Sequence, residues 1–162
     1  MRRFAVLADI HGNIRALEAV LDDASRRGLR ELVDLGDTLY GPLEPRATAD
    51  RLMEAPVVGI LGNQDRILTE PTASPSSPTL DHVMGELTPR HLAWLASRPV
   101  TAVLAGELFL CHGTPRSDTA YLLEDISDLG GSPREIPAVE DDLSEVAQPV
   151  VLCGHSHLPR VV

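Results

Sequence analysis

Asp9-Ile10-His11-Gly12-Asn13 follows directly on the apolar run 4–8. A short apolar run closed by a glycine-bearing polar turn reads as a buried strand that delivers its next residues to the end of a sheet. Four further runs end the same way. Run 32–35 leads into Gly36-Asp37, 57–61 into Gly62-Asn63, 108–111 into His112-Gly113, and 150–153 into Gly154-His155-Ser156-His157. Each turn therefore presents a side chain of the metal-binding type. In open α/β sheets function gathers just outside the carboxyl ends of the strands, so the five turns point to one shared metal site.

Outward from the first turn, Asn13 caps a helix that carries Ile14, Leu17, Val20, Leu21 and Ala24 at helical spacing and stops at Gly28. Pro45 opens a second helix running to Met53, as prolines in first turns do. Strand and helix then alternate up to the third run, which predicts a parallel sheet covered by helices. Residues 69–79, with Pro71, Pro75 and Pro78, read as an exposed connection. Thr88-Pro89 starts another helix, with Leu92, Ala93, Leu95 and Ala96 on its apolar side and Trp94 at the margin of the core. Runs 100–104 and 108–111 flank Ala105-Gly106-Glu107, an antiparallel hairpin that makes the sheet mixed. Beyond it, helices are expected at 121–126 and 139–146, separated by Gly130-Gly131-Ser132-Pro133. The acidic run Glu140-Asp141-Asp142 reads as a solvated face near a helix start, and Arg160-Val161-Val162 as the beginning of one more strand.

A length of 162 residues with 43% hydrophobic content fits one domain, 1–162, with a real core. Cys111 and Cys153 fall at strand ends, where free thiols serve as small buried hydrophobes, and no disulfide framework is implied. A formal net charge of -10 disfavours a long polyanion such as duplex DNA, whose binding rests on basic side chains meeting phosphate. A small anion is still compatible, because bound cations invert the local charge. With no apolar segment of spanning length and no basic-then-apolar leader, a soluble cytoplasmic protein without membrane contact is expected.

Taken singly, each candidate has an ordinary explanation: Asn13 as a helix cap, Asp37 as a turn residue, His112 as a half-buried imidazole, Asp9 as a strand-end carboxylate held by backbone donors. Together they do not. Four of the six histidines and two aspartates fall on one side of one expected sheet, while His82 and His91 lie in the middle of the chain and read as surface residues. His155 and His157, two apart in an extended segment, project to one side as a ligand pair must. Imidazole, carboxylate and one amide suit manganese, iron, cobalt, nickel or zinc better than calcium, which prefers oxygen alone.

Asp9-x-His11, Gly36-Asp37, Gly62-Asn63, His112-Gly113 and Gly154-His155-x-His157 stand in the order of the calcineurin-like metallophosphoesterases. The chain resembles that family from residue 9 to 157, above all its small bacterial and archaeal branch that acts on phosphodiesters. The resemblance implies an α/β fold, a mixed-sheet αββα sandwich. It implies two divalent transition-metal ions, manganese first, with iron, zinc, nickel or cobalt as alternatives. One ion would sit on Asp9, His11, Asp37 and His157, the other on Asp37, Asn63, His112 and His155, with Asp37 as the bridge. Two such ions against Asp9, Asp37 and one hydroxide leave a net positive centre able to draw in phosphate. The expected reaction is in-line attack of a metal-bridging hydroxide on a small phosphodiester. Asp37, Asn63, Gln64 and Asp65 form the candidate catalytic set.

Two departures from the family pattern stand out. Many members carry histidine, the usual proton donor to the leaving group, where this chain has Gln64. The family also continues past its last histidine motif with further strands and an Asn-Pro-Gly-Ser-like turn, so a shortened sandwich with an open, association-prone sheet edge is expected here. The alternatives are a phosphomonoesterase or protein phosphatase, and a non-catalytic metal-binding scaffold on the same fold. The first is disfavoured because Gly36-Asp37-Thr38-Leu39-Tyr40-Gly41 lacks the Asp-Arg-Gly of protein phosphatases. The second is disfavoured by seven intact ligand positions.

Overall fold

A computed structural model describes residues 3–70, 77–127 and 130–162. Strand β1 (Phe4–Leu7), helix α1 (Ile14–Arg26), β2 (Glu31–Asp34), α2 (Pro45–Met53) and β3 (Val57–Gly59) form the first half. Both crossovers are helical, and β1, β2 and β3 pair in parallel in that order. Helices α3 (Asn63–Thr69), α4 (Pro78–Glu86) and α5 (Pro89–Ala96) follow. Next come β4 (Ala102–Leu104), β5 (Leu108–Leu110), β6 (Glu124–Ser127), β7 (Gly130–Pro133), α6 (Ile136–Asp142) and β8 (Val150–Leu152). β5 lies between antiparallel β4 and parallel β8, giving a second, mixed sheet.

Side-chain alternation builds the layers. Leu7 and Leu32 of the first sheet pack on Leu17, Leu21 and Ala24 of α1 and Leu52 of α2. Val33 turns to the other face, where with Leu35 and Ile60 it meets Leu110 of the second sheet, flanked by Ala102, Leu104, Leu108 and Leu152. A third cluster, Ala49, Leu68, Leu80, Val83 and Leu95 around Leu39, unites α2 to α5 at one end of the first sheet. On the outward face of the second sheet Val103 is 51% exposed, so a fourth layer does not cover it among the described residues.

The connection expected at 69–79 is shorter than its prolines implied. Thr69 ends α3, Ser77 caps α4 by accepting from the Leu80 N–H at 3.1 Å, and Pro78 sits in the first turn, where its missing donor costs nothing; residues 71–76 lie outside the described set. The helix expected at 121–126 is instead one arm of a hairpin, Glu124 to Ser127 pairing with Gly130 to Pro133. The helix expected at 139–146 begins earlier, at Ile136, with Pro137 in its first turn. Arg160-Val161-Val162 enters no strand.

Candidate metal centre

The loops after β1, β2 and β3, the turn after β5 and the turn after β8 meet at one end of the two sheets. They are tied by backbone bonds. Asp9 N–H donates to Gly36 O at 3.0 Å, His11 N–H to Asp37 O at 2.9 Å, Gly12 N–H to Thr38 O at 3.0 Å and Gly154 N–H to His112 O at 2.8 Å. The Asp37 and Asn63 turns approach so closely that a Cβ on Gly36 would collide with the backbone of Gly62, and one on Gly62 with Asp37. Glycine at 36 and 62 is therefore a packing requirement.

Among the described residues six non-glycine residues have left-handed backbone, and five of them are Asp9, His11, Asp37, His155 and His157. Such conformations cost about 1–3 kcal/mol each and concentrate at functional sites, where surrounding structure enforces them. Here they turn each side chain out of its strand direction and into the common end of the sheets.

Two triads result, Asp9–His11–His157 and Asp37–His112–His155, in each of which the ligand atoms lie within 4.8 Å of one another. In the first, His11 Nε2 is 3.2 Å from His157 Nε2, and His157 Nε2 is 3.3 Å from Asp9 Oδ1. In the second, His112 Nε2 is 3.4 Å from Asp37 Oδ2 and 3.0 Å from Asn63 Oδ1. Asn63 thus joins the second triad.

The outer nitrogens fix the tautomers. His11 Nδ1–H donates to Tyr40 O at 2.8 Å and His112 Nδ1–H to Leu35 O at 2.8 Å, so both direct Nε2 inward. His155 Nε2–H donates to Thr119 O at 3.2 Å, which leaves its Nδ1 as the free lone pair, while its ring stacks on Tyr121 with centroids 4.5 Å apart. Imidazoles held through one nitrogen by a carbonyl are the arrangement that orients metal ligands. Asp9 Oδ1 is buried without any hydrogen-bond partner, while Oδ2 accepts from His155 N–H at 3.0 Å. A buried carboxylate oxygen left in that state is costly unless a cation meets it. The donor set fits divalent transition metals.

Burial alone would lower the pKa of His112, but the Asp37 carboxylate outweighs it and the imidazole rises to about 9. Asp37 is shifted the opposite way: burial would raise it, and His112 with the Gln64 N–H brings it below its ordinary value. The metal-free site therefore keeps a proton on His112 where a cation would bind. His112, raised above its unfolded pKa of 6.5, contributes stability that is fully present below pH 6.5 and lost as pH rises through about 9. Metal binding must expel that proton, so manganese affinity is expected to climb about tenfold per pH unit between 6.5 and 9. Titration calorimetry in buffers of different ionisation enthalpy measures the proton released, and zero release at pH 7 would contradict this.

Gln64 stands at the start of α3, its N–H donating to Asp37 Oδ1 at 2.9 Å. Asp65, placed among the catalytic candidates by sequence, lies beneath the site and is fully buried. Its carboxylate accepts from the N–H groups of Thr38 at 3.0 Å, Leu39 at 3.4 Å and Gly62 at 3.1 Å, bracing the loops that carry Asp37 and Asn63. Burial, with Asp34 and Asp37 nearby, raises it to about 6. His91, read as a surface residue, is 4% exposed and is held by Asp50 at 3.0 Å and the Thr88 N–H at 3.2 Å; His82 is exposed. Burial pushes Cys111 and Cys153 up to about 12 and 11, far from the thiolate a metal would require. Sequence reasoning missed Thr119 and Tyr121, which orient His155, because one acts through a backbone carbonyl and the other through a ring face.

The chain matches the calcineurin-like phosphoesterase superfamily domain over residues 2–162, and it belongs to that superfamily. It is similar to the crystal structure of a metallophosphoesterase from Sphaerobacter thermophilus, with 28% identity and a TM-score of 0.73 over 98% of this chain and 62% of that one. A structure described as a candidate diadenosine tetraphosphatase is alike in fold, with 21% identity and a TM-score of 0.65 over 94% of this chain and 74% of that one. The uncharacterised protein MJ0912 of Methanocaldococcus jannaschii is 34% identical over 61 residues, 38% of this chain and 25% of its own length. The chain therefore spans less than two thirds of the Sphaerobacter structure. No helix among the described residues is long and apolar enough to cross a membrane.

Proposed function

We propose that this protein is a metal-dependent phosphoesterase acting by preference on small phosphodiesters, with manganese as its working ion. The observation that carries this reading is the pair of adjacent Asp/His triads, whose inward nitrogens and Asp9 Oδ1, a buried oxygen that accepts no hydrogen bond, are arranged for cations. Divalent ions bound there would supply Lewis-acid polarisation of a phosphoryl oxygen and ease deprotonation of an attacking water. Asp9, His11 and His157 would hold one position, and Asp37, Asn63, His112 and His155 the other, with Asp37 the ligand that the two would share. The formal charge of -10 favours a small phosphoester over a long nucleic acid.

The chain's own contribution to the leaving group centres on Gln64. Its amide can donate a hydrogen bond to a phosphoryl oxygen but holds no proton to transfer at neutral pH. His91 and His82 do not replace it, since the first is locked to Asp50 and the second bonds Leu43 O at 3.2 Å. Esters of acidic alcohols are therefore expected to react fast and alkyl esters slowly. Gln64→His is expected to raise rates on poor leaving groups by up to ~10²-fold, the low end of what a positioned acid contributes. Rates across aryl and alkyl diesters of graded leaving-group acidity measure this, and a flat dependence in the unmodified protein would refute it.

The function itself is tested by manganese-dependent hydrolysis of bis(p-nitrophenyl) phosphate and p-nitrophenyl phosphate in ¹⁸O-water. The expected result is faster diester cleavage with label in the phosphate product. Label in the alcohol would contradict attack at phosphorus, and faster monoester cleavage would reverse the assigned preference.

A further inference from the structure

Beside the second triad, and sharing His112 with it, lies a cavity of about 310 Å³. His112 forms part of its wall, with Arg66, Thr114, Arg116, Ser117 and Asp118 as the other polar lining and Val100 and Pro115 as the apolar part. Arg66 reaches it from α3, one helical turn beyond Asn63, and Arg116 from the loop that follows His112. That loop is fastened over the site by Thr119 O on His155 and by a forked ion pair, Arg66 Nε to Asp118 Oδ2 at 2.7 Å and Nη2 to Oδ1 at 3.0 Å.

The fork leaves Nη1 of Arg66 out of the pair. Arg116 is held by Ser144 Oγ at 3.3 Å and Glu145 at 3.5 Å, and Glu145 is 81% exposed, so water screens that pairing and leaves most of the Arg116 charge available. Within the lining itself two guanidiniums stand against one carboxylate, Asp118, while Glu145 meets Arg116 from outside the lining, on a protein that is otherwise acidic. Guanidinium forks match phosphate oxygens in geometry as well as charge. The volume is at the lower limit for ligand pockets, about 300 Å³, room for a phosphate and a short linker.

We infer that this cavity is a subsite for a second phosphate group, so that the substrate is a phosphoester carrying another phosphate a short spacer away from the scissile one. The inference rests on the phosphoesterase reading for the role of the neighbouring triads. It assigns Arg116 to specificity, and gives Arg66 the double task of pinning the loop and meeting the anion.

The test uses probes that cannot be hydrolysed. Propane-1,3-bisphosphonate and propylphosphonate are titrated against the full chain loaded with stoichiometric manganese. The bisphosphonate is expected to bind about 10- to 100-fold more tightly, the range of a charge-assisted contact. In Arg116→Gln that ratio is expected to fall to about threefold or less, while in Arg90→Gln, an exposed site on α5 that removes the same charge, it is expected to stay as in the unmodified protein. An unchanged ratio in Arg116→Gln, or an equal fall in both variants, overturns the subsite. Failure of both probes to bind also overturns it. Manganese-dependent cleavage of bis(p-nitrophenyl) phosphate, run in parallel, then shows whether the phosphoesterase reading survives.

Discussion

Asp37→Asn is expected to abolish manganese binding at the second triad, weaken it at the first, and lower phosphoesterase activity by at least ~10³-fold, the equivalent of losing several kcal/mol of metal-supplied stabilisation. Asp37 is 2% exposed and both of its oxygens are engaged, Oδ1 by Gln64 N–H and Oδ2 by His112. An amide keeps one acceptor for the Gln64 N–H and turns its NH₂ toward His112 Nε2, so the carboxylate oxygen that faced a cation is replaced by a donor. It also removes the charge that keeps the proton on His112 in the metal-free protein. Folding should survive: asparagine tolerates the left-handed backbone at φ 53°, and loss of one carboxylate relieves Asp65. The metal-free variant is therefore expected to remain folded but to unfold at lower urea than the unmodified chain, because the Asp37–His112 pairing is lost, while the stabilisation conferred by added manganese disappears. Elemental analysis and urea titration with and without manganese check both halves. Two tightly bound ions in Asp37→Asn would rule out Asp37 as the bridge, and a greater metal loss in Asn63→Ala would reverse the ranking of the two ligands.

The candidate ligand positions were legible because the same local grammar, an apolar run and then a glycine beside a polar residue, announces a strand end, and the ends of parallel neighbours share an edge, here in each of two stacked sheets. Asp9, His11, Asp37, Asn63, His112, His155 and His157 are the candidates of that reading, and the structure places six of them in two triads with Asn63 beside the second. The left-handed backbones of five of them, Asp9, His11, Asp37, His155 and His157, were not legible, since Asp and His adopt that conformation uncommonly and where tertiary contacts impose it. Helix α4 was hidden by a proline cluster in which Pro78, read as a breaker, is a helix starter once Ser77 caps it. Next to Asn63 and Gln64 in sequence, Asp65 reads as part of the chemistry. On α3, however, it sits at the third position and points back to the Gly62 N–H, which makes it a cap and a brace.

Arg98 is the largest element that the sequence did not disclose, and its replacement is the second large effect expected. It is 9% exposed, its guanidinium lies 4.2 Å from the Trp94 ring centroid, and the absence of a side chain at Gly59 leaves it room. Nη1 donates to Asp34 Oδ2 at 2.7 Å and to Thr38 Oγ1 at 2.9 Å. Asp34 is fully buried at the end of β2, and Asp65, fully buried beside it, is also favoured in its charged form by Arg98. Removing one partner of a buried ion pair costs about 3–5 kcal/mol, because the other charge stays behind without compensation. Arg98→Met is therefore expected to lose that much at pH 7.5. Asp65 has a folded pKa of about 6 against 3.8 unfolded, so its proton stabilises the fold at low pH and this contribution is lost as pH rises through about 6. Without Arg98 the folded value rises further, and the deficit of the variant should be visibly smaller at pH 5 than at pH 7.5. Because Thr38 directly follows Asp37 and is held by both Asp34 and Asp65, manganese affinity is expected to drop about 10- to 100-fold as well, the usual effect of disturbing groups that support ligands. Adding Asp34→Asn to Arg98→Met should recover part of the stability, since the uncompensated charge is then gone. Urea unfolding of the single and double variants at the two pH values measures each of these, and a loss in Arg98→Met that is independent of pH and unrelieved by Asp34→Asn would mean that the cost comes from packing against Trp94 and not from buried charge.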